Sequence, residues 1–299
     1  MKIIAILGPT ASGKTALSLE LASKYNAIIL SLDSLSIYRQ IDIASAKPTP
    51  KERGDIVHFG LDVLYPNEHF DVTMFFDLYQ EALCYANAHQ KLLLIVGGTG
   101  FYLKALMEGM STQPTITPHI KATIQEMLCN LPLAYRLIHE KDPTYAAKIA
   151  FNDCYRIEKW LEIFYATGCT PSAYLAQNKQ PPLLKDVLLY EIETPKEILQ
   201  KRVFTRTHTM LKQGLLDEVF YLEKRYSRAP QCMKAIGIQE VLDYFDGKYT
   251  YAKLEENIAI HTMQLAKRQR TFNASQFPPH EKAPTPELQK MIEKALQKL

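Results

Sequence analysis

Residues 8–15 read Gly8-Pro9-Thr10-Ala11-Ser12-Gly13-Lys14-Thr15. A glycine, four residues, a second glycine, a lysine and a threonine in that order are spaced to wrap backbone around a phosphate. The glycines let the loop wind with N–H groups turned inward, the helix that follows presents its positive end, and Lys14 adds a mobile charge. Thr15 offers a hydroxyl to Mg2+. Such a cradle takes adjacent anionic phosphates, and by itself it does not distinguish a nucleoside triphosphate from another polyphosphate.

Other residues carry chemistry near it. Asp33, in Ser31-Leu32-Asp33-Ser34, closes an apolar run, and the carboxyl ends of parallel strands are where open α/β sheets hold ligands. A catalytic base, a Mg2+ carboxylate and a solvent-facing loop aspartate all fit that position. Gly97-Gly98-Thr99-Gly100 is a second glycine turn that brings backbone and the Thr99 hydroxyl toward the same anion, or simply turns a strand into a helix. Arg202 and Arg206 stand four apart, on one face of a helix. A planar guanidinium binds two phosphate oxygens, although a solvated basic face has the same spacing. Lys267, Arg268 and Arg270, followed by Phe272, and Tyr155, Arg156, Lys159 and Trp160 mix cations with aromatic rings, as RNA-binding surfaces and ordinary solvated faces both do.

The elements that must position these groups follow from hydrophobic pattern. Ile3–Leu7, residues 27–32 and residues 92–96 are continuous apolar runs closed by glycine or aspartate, the habit of strands buried on both faces of a parallel sheet. Residues 14–24 carry apolar side chains at helical spacing (Leu17, Leu21). From about residue 113 the texture becomes helical. Asp142-Pro143 and Thr194-Pro195-Lys196-Glu197 read as helix starts, the second with a capping-box glutamate three residues after Thr194. Residues 177–182 form a polar, proline-closed boundary, 187–192 read as one more strand, and 278–286 as loop or tail. The expected fold is α/β: a P-loop NTPase-like parallel sheet core over 1–112 and 183–275, a helical insertion over 113–182, and a C-terminal tail over 276–299.

Composition excludes the extreme classes. The 299 residues are 47% hydrophobic and 22% charged, enough to bury a core without disulfides or a structural metal. Thirty-five Lys and Arg against 32 Asp and Glu give a net charge of +3, so a polyanionic partner must be argued from local clusters. Five widely spaced cysteines suit a reducing compartment. The N-terminal apolar run is too short for a signal peptide and no stretch is long enough to span a membrane, so the expectation is a cytoplasmic protein with no membrane partner.

Taken together, five segments resemble the tRNA dimethylallyltransferase family, the isopentenyl transferases that alkylate N6 of the adenosine next to the anticodon. They are GPTASGKT (8–15), DSLSIYRQIDIASAKP (33–48), GGTGFYLKALMEG (97–109), NDCYRIEKWLEIFYATG (152–168), and KAIGIQE (234–240) paired with AKRQRT (266–271). The resemblance implies dimethylallyl diphosphate as donor, tRNA as acceptor, Mg2+ as cofactor, and a monomer. It makes Asp33 the general base, puts Thr15 and Thr99 near the diphosphate bound by residues 8–15, and makes Arg206 the arginine that binds that anion from the C-terminal part. It assigns tRNA contacts to Asp33, Ser34, Leu35 and Ser36, to Gly100, to Tyr155, Arg156, Ile157, Glu158 and Lys159, and to Lys234, Ala235, Ile236, Gly237, Ile238 and Gln239. Three places depart from the family's usual residues: Ala44-Ser45-Ala46-Lys47-Pro48, His58-Phe59-Gly60-Leu61-Asp62, and Phe272 where tryptophan is usual.

The loop itself would serve equally in a small-molecule P-loop kinase or other ATP-binding protein, with Asp33 as base or metal carboxylate and Arg206 on the γ-phosphate. It would also serve a nucleotide-dependent RNA-binding switch. Direct binding of ATP against a dimethylallyl analogue separates these readings.

Overall fold

The computed structural model describes residues 2–297. Its first stretch alternates β1 (Ile3–Leu7), α1 (Lys14–Lys24), β2 (Ala27–Ser31), α2 (Pro50–Arg53), β3 (His58–Phe59), α3 (Val72–Ala88), β4 (Leu92–Gly97) and α4 (Gly100–Glu108). Five helices follow: α5 (Pro118–Leu128), α6 (Leu131–Lys141), α7 (Pro143–Ala146), α8 (Cys154–Thr167) and α9 (Pro171–Gln177). The chain continues through β5 (Val187–Ile192), α10 (Lys196–Lys212), α11 (Leu215–Tyr226), a 3-10 turn (Gln231–Lys234), α12 (Ile238–Phe245), α13 (Tyr251–Gln276), β6 (Glu281–Ala283) and α14 (Thr285–Gln297).

The six strands form one parallel sheet in the order β3-β2-β4-β1-β5-β6. Its central strands are apolar throughout because helices cover both faces, and Ile4, Ala5, Ile6 and Leu7 are wholly buried. Register aligns the strand ends: Leu7 pairs with both Gly97 and Glu191, and Ser31 with Val96. Gly8, Gly98, Ile192 and Asp33 therefore emerge together along the carboxyl edge, where β1 leads across β4 to β2 and the chain order reverses.

Two compact units account for the chain, Met1–Ala105 with Leu184–Leu299, and Leu106–Leu183. The helical unit has its own core of Ile124, Ala134, Ile138, Ala146, Ile157, Trp160 and Leu161. Asp142 is its polar centre, capping α7 through the Tyr145 amide and accepting from Trp160 Nε1 at 3.3 Å, Ser172 Oγ at 2.8 Å and Thr144 Oγ1 at 2.9 Å. Burial pushes its carboxyl up, but these donors outweigh burial and hold it below its ordinary value. The unit starts earlier than residue 113: Gly109, at φ +77, lies so close to the Gln180 carbonyl that no side chain fits, and Ser111 bridges Lys179.

Three further sequence expectations are corrected. Residues 276–299 are not a tail within the described range, because β6 extends the sheet beside Tyr190–Ile192 and α14 buries Leu288 and Ile292 against Leu17, Leu21 and Ile192. Trp160 belongs to the helical core, fully buried, and takes no part in a surface cluster. Helix α10 begins at Lys196 with Pro195 itself at the N-cap, so Thr194 stands one place too early to cap and no side-chain cap bond forms there. No helix among the described residues is long and apolar enough to cross a membrane.

Candidate active site

The loop between β1 and α1 takes its shape from backbone freedom at its ends. Gly13 holds φ +100, and a side chain on Gly8 would sit 2.9 Å from Ser12 Oγ and 3.3 Å from Ile192 Cβ. The Lys14 ammonium folds back over the loop, donating to the carbonyls of Gly8 at 2.8 Å and Pro9 at 2.6 Å. Burial pushes it down to about 7, Asp33 and Glu191 oppose that shift, and Arg206 adds to it. At the start of α1 the amides of Lys14, Thr15 and Ala16 have no intrahelical acceptor, as at any helix N-terminus, and the Thr15 side chain is exposed beside them.

Two arginines reach the loop from α10. Arg202 donates to the Ser12 carbonyl at 2.9 Å, and Arg206 to Thr10 Oγ1 at 3.4 Å and the Ser45 carbonyl at 3.5 Å. Burial lowers the Arg206 guanidinium and the nearby Asp33 carboxylate works against that. Asp33 is thus within electrostatic reach of both Lys14 and Arg206. Its Oδ1 accepts the amides of Leu35 at 2.8 Å and Ser36 at 3.1 Å, which pins the carboxylate at the mouth of the 33–48 loop. Thr99 lies alongside, its amide donating to the Leu32 carbonyl at 3.1 Å. Tyr102, one turn into α4, is pushed up to about 12 by burial, with Tyr38, Asp33 and Asp71 adding to the shift.

The altered loop residues are firmly held. Lys47 Nζ donates to the Tyr38 carbonyl at 2.9 Å and pairs with Asp42 and Asp62. Gly60, at φ +78, passes within 3.1 Å of the Ser31 carbonyl by its would-be Cβ, so glycine suits the close approach of β3 to β2.

Two residues missed in the sequence complete the site. Gln269 on α13 accepts the Thr10 amide at 2.8 Å, so that amide serves α13 and is not turned inward for an anion. The same side chain fills the space a Cβ on Gly98 would need, while Asn273 and Phe272 fill it at Gly100. Gln269 lies inside the AKRQRT segment, where its charged neighbours carry the sequence signal. Glu191, at the carboxyl end of β5, accepts from Asn273 Nδ2 at 2.9 Å, His280 Nε2 at 3.0 Å and Lys282 at 2.9 Å. Burial pushes Glu191 up, but those donors outweigh it and leave the carboxyl below its ordinary value. An acid amid a strand-like run carries no signal of its partners.

Among the residues expected to meet tRNA, Tyr155, Arg156 and Lys159 lie exposed on α8, with Lys159 over the Tyr155 ring at 5.9 Å. Glu158 is half-buried and Ile157 wholly buried in the helical core. Lys234 is exposed, Ala235, Ile236 and Gln239 half-buried, and Gly237 and Ile238 buried, with the Gly237 amide held by Glu240. Ser34 is exposed, Leu35 half-buried, and Ser36 and Gly100 buried. Lys267, Arg268 and Arg270 are exposed on α13. Among the described residues no group of three or more acidic, histidine or cysteine side chains gathers as a metal cage.

The IPP transferase family matches residues 36–276, and the isopentenyl transferase family matches residues 1–58. The chain is 55% identical to the tRNA dimethylallyltransferase of Aliarcobacter butzleri across 93% of each protein, and 49% identical to that of Sulfurovum sp. across 97% of this chain and 96% of the relative. The chain belongs to the tRNA dimethylallyltransferase family. Solved members share its architecture. The tRNA isopentenylpyrophosphate transferase of Bacillus halodurans superposes with a TM-score of 0.72 at 27% identity, covering 99% of this chain and 97% of that one. A eukaryotic dimethylallyltransferase acting on tRNA gives 0.80 at 27% identity over 91% of this chain and 70% of its own. As a dimethylallyltransferase-family member with a P-loop NTPase-like core, the chain is a transferase.

Proposed function

We propose that this enzyme transfers the dimethylallyl group of dimethylallyl diphosphate to N6 of the adenosine 3′-adjacent to the anticodon in tRNA, releasing diphosphate. The observation that supports it best is the grouping of Lys14, Arg206 and Asp33 at one sheet edge, cations for a leaving diphosphate beside a carboxylate for an acceptor amine. The allylic C–O bond breaks, a C–N bond forms, and the N6 proton passes to Asp33. Charge builds on the leaving diphosphate, so donors fixed beforehand stabilise it most. Lys14, Arg206, the first amides of α1 and the Thr99 hydroxyl serve as those donors.

Mg2+ fits here only as a partner of the phosphates. It takes oxygen ligands and keeps several waters, and Thr15 supplies one hydroxyl where no protein cage exists among the described residues. Bound there, it would neutralise diphosphate charge. Asp33 assists because N6 shares its lone pair with the purine ring, and a carboxylate that hydrogen-bonds the amine restores nucleophilicity. The exposed cations of α8 and α13, with Lys234, would hold the RNA backbone while the target base is unstacked.

The test is incubation with Mg2+, radiolabelled dimethylallyl diphosphate and an unmodified tRNA carrying that adenosine, followed by nucleoside analysis. Label recovered as N6-dimethylallyladenosine is expected. No transfer, with ATP bound tightly or consumed, would replace this reading by that of a P-loop kinase.

A further inference from the structure

Between Asp33 and α2 the chain is built from turns, and one of those turns is gripped from a distant helix. The consecutive amides of Asp42, Ile43 and Ala44 donate to the Glu218 carboxylate of α11 at 2.8, 2.7 and 2.9 Å. The next carbonyl along the turn, of Ser45, is the one that receives Arg206. Ala46 then adopts φ +47, a left-handed conformation that a residue with a side chain resists, so the turn depends on outside support. Ser45 Oγ donates to the Ile41 carbonyl and Lys47 ties the far end to Tyr38, Asp42 and Asp62.

We infer that Glu218 is a positioning residue for Arg206, holding the 42–45 turn so that the Ser45 carbonyl aims the guanidinium at the phosphate loop. Three N–H groups converging on one carboxylate form an anion nest filled by the protein itself. A neutral glutamine offers one acceptor oxygen and presses an NH2 against donors, which leaves at least one amide without a partner. Lys47 and Ser45 still hold the loop in that variant, so the expected result is a misaimed Arg206 in a folded protein. The inference rests on the reading of Arg206 as a ligand of the donor diphosphate.

The experiment is steady-state transfer of labelled dimethylallyl diphosphate to tRNA by the full chain and by Glu218→Gln, Arg206→Lys, both together, and Glu223→Gln. Glu223 serves as comparator because it lies on the same helix in a surface ion pair with Arg228. Glu218→Gln should lose about 10- to 100-fold in kcat/KM for the donor, as small misplacements do, with the tRNA KM unchanged. The double variant should be no worse than Arg206→Lys alone, and Glu223→Gln should match wild type. Wild-type kinetics in Glu218→Gln, a loss that multiplies with that of Arg206→Lys, or a loss that only follows a lowered melting temperature would overturn the inference. Should the glutamine variant fail to fold, Glu218→Asp, which keeps the charge but not the reach, gives the same reading. If Arg206→Lys itself shows wild-type kinetics while the wild-type enzyme transfers label, the diphosphate role of Arg206 is refuted and the inference with it.

Discussion

Gln269 accepts the backbone amide of Thr10, a residue 259 positions earlier, at 2.8 Å. The long helix α13 is thereby fastened to the phosphate loop, and the same glutamine lies against Gly98 of the second glycine turn. Both anion-facing turns are thus indexed to one helix whose outer face carries Lys267, Arg268 and Arg270.

The depressed Lys14 makes diphosphate binding depend on pH. Its ammonium is held to about 7 in the free protein, and an anion binds the protonated form. Below pH 7 the Lys14 contribution to affinity for inorganic diphosphate should be level, the ligand's own protonation being common to wild type and variant. Above it Lys14 must take up a proton on binding, and its contribution should weaken by up to about tenfold per pH unit until the bound-state value is passed. Calorimetry of wild type against Lys14→Met checks this, since the Lys14 share of the slope must vanish in the variant. Identical slopes would exclude it.

Gly97→Ala should damage both fold and activity. The added Cβ would stand 2.5 Å from Leu32 Cβ and 2.7 Å from its carbonyl, and Leu32 precedes Asp33. Backbone cannot yield as a flexible side chain does, so a cost of about 1–3 kcal/mol and reduced turnover are expected. Chemical denaturation beside the transfer assay measures both.

Leu288→Ala should lower stability by about 2–5 kcal/mol, the range for emptying a buried leucine site. Leu288 and Ile292 are wholly buried among β1, α1 and β5 side chains. An unchanged melting curve would mean that α14 contributes nothing to the core.

Affinity for tRNA should fall steeply with salt. If Lys267 contacts one phosphate, Lys267→Ala should reduce the log–log salt slope by about 0.7–0.9. Lys248→Ala, whose ammonium already pairs with Asp243, should leave the slope alone. Equal slopes in the two variants would remove Lys267 from the RNA contact.

The sheet, the cradle and Asp33 were legible because they are local in sequence: buried strands are continuous apolar runs, and the phosphate loop is one short motif. The stripe Leu288, Met291, Ile292 and Ala295 is equally regular, but the proline-rich stretch before it masked a helix that joins the core. Trp160 was misplaced because an aromatic ring amid exposed cations on α8 shares its sequence with the face that packs inward. The partners of Gln269, Glu191 and Glu218 could not be read, since each acts on residues far along the chain and nothing in its own neighbourhood marks them.

The most direct measurement is the single-turnover rate of dimethylallyl transfer in Asp33→Asn, beside its affinity for tRNA. Asparagine keeps an oxygen for the Leu35 and Ser36 amides, so the loop should hold its shape while the base is lost. A rate lower by about 10² to 10⁴ with tRNA binding unchanged is the expected result. A near-normal rate would contradict the account, because no proton acceptor would then be needed where Asp33 stands.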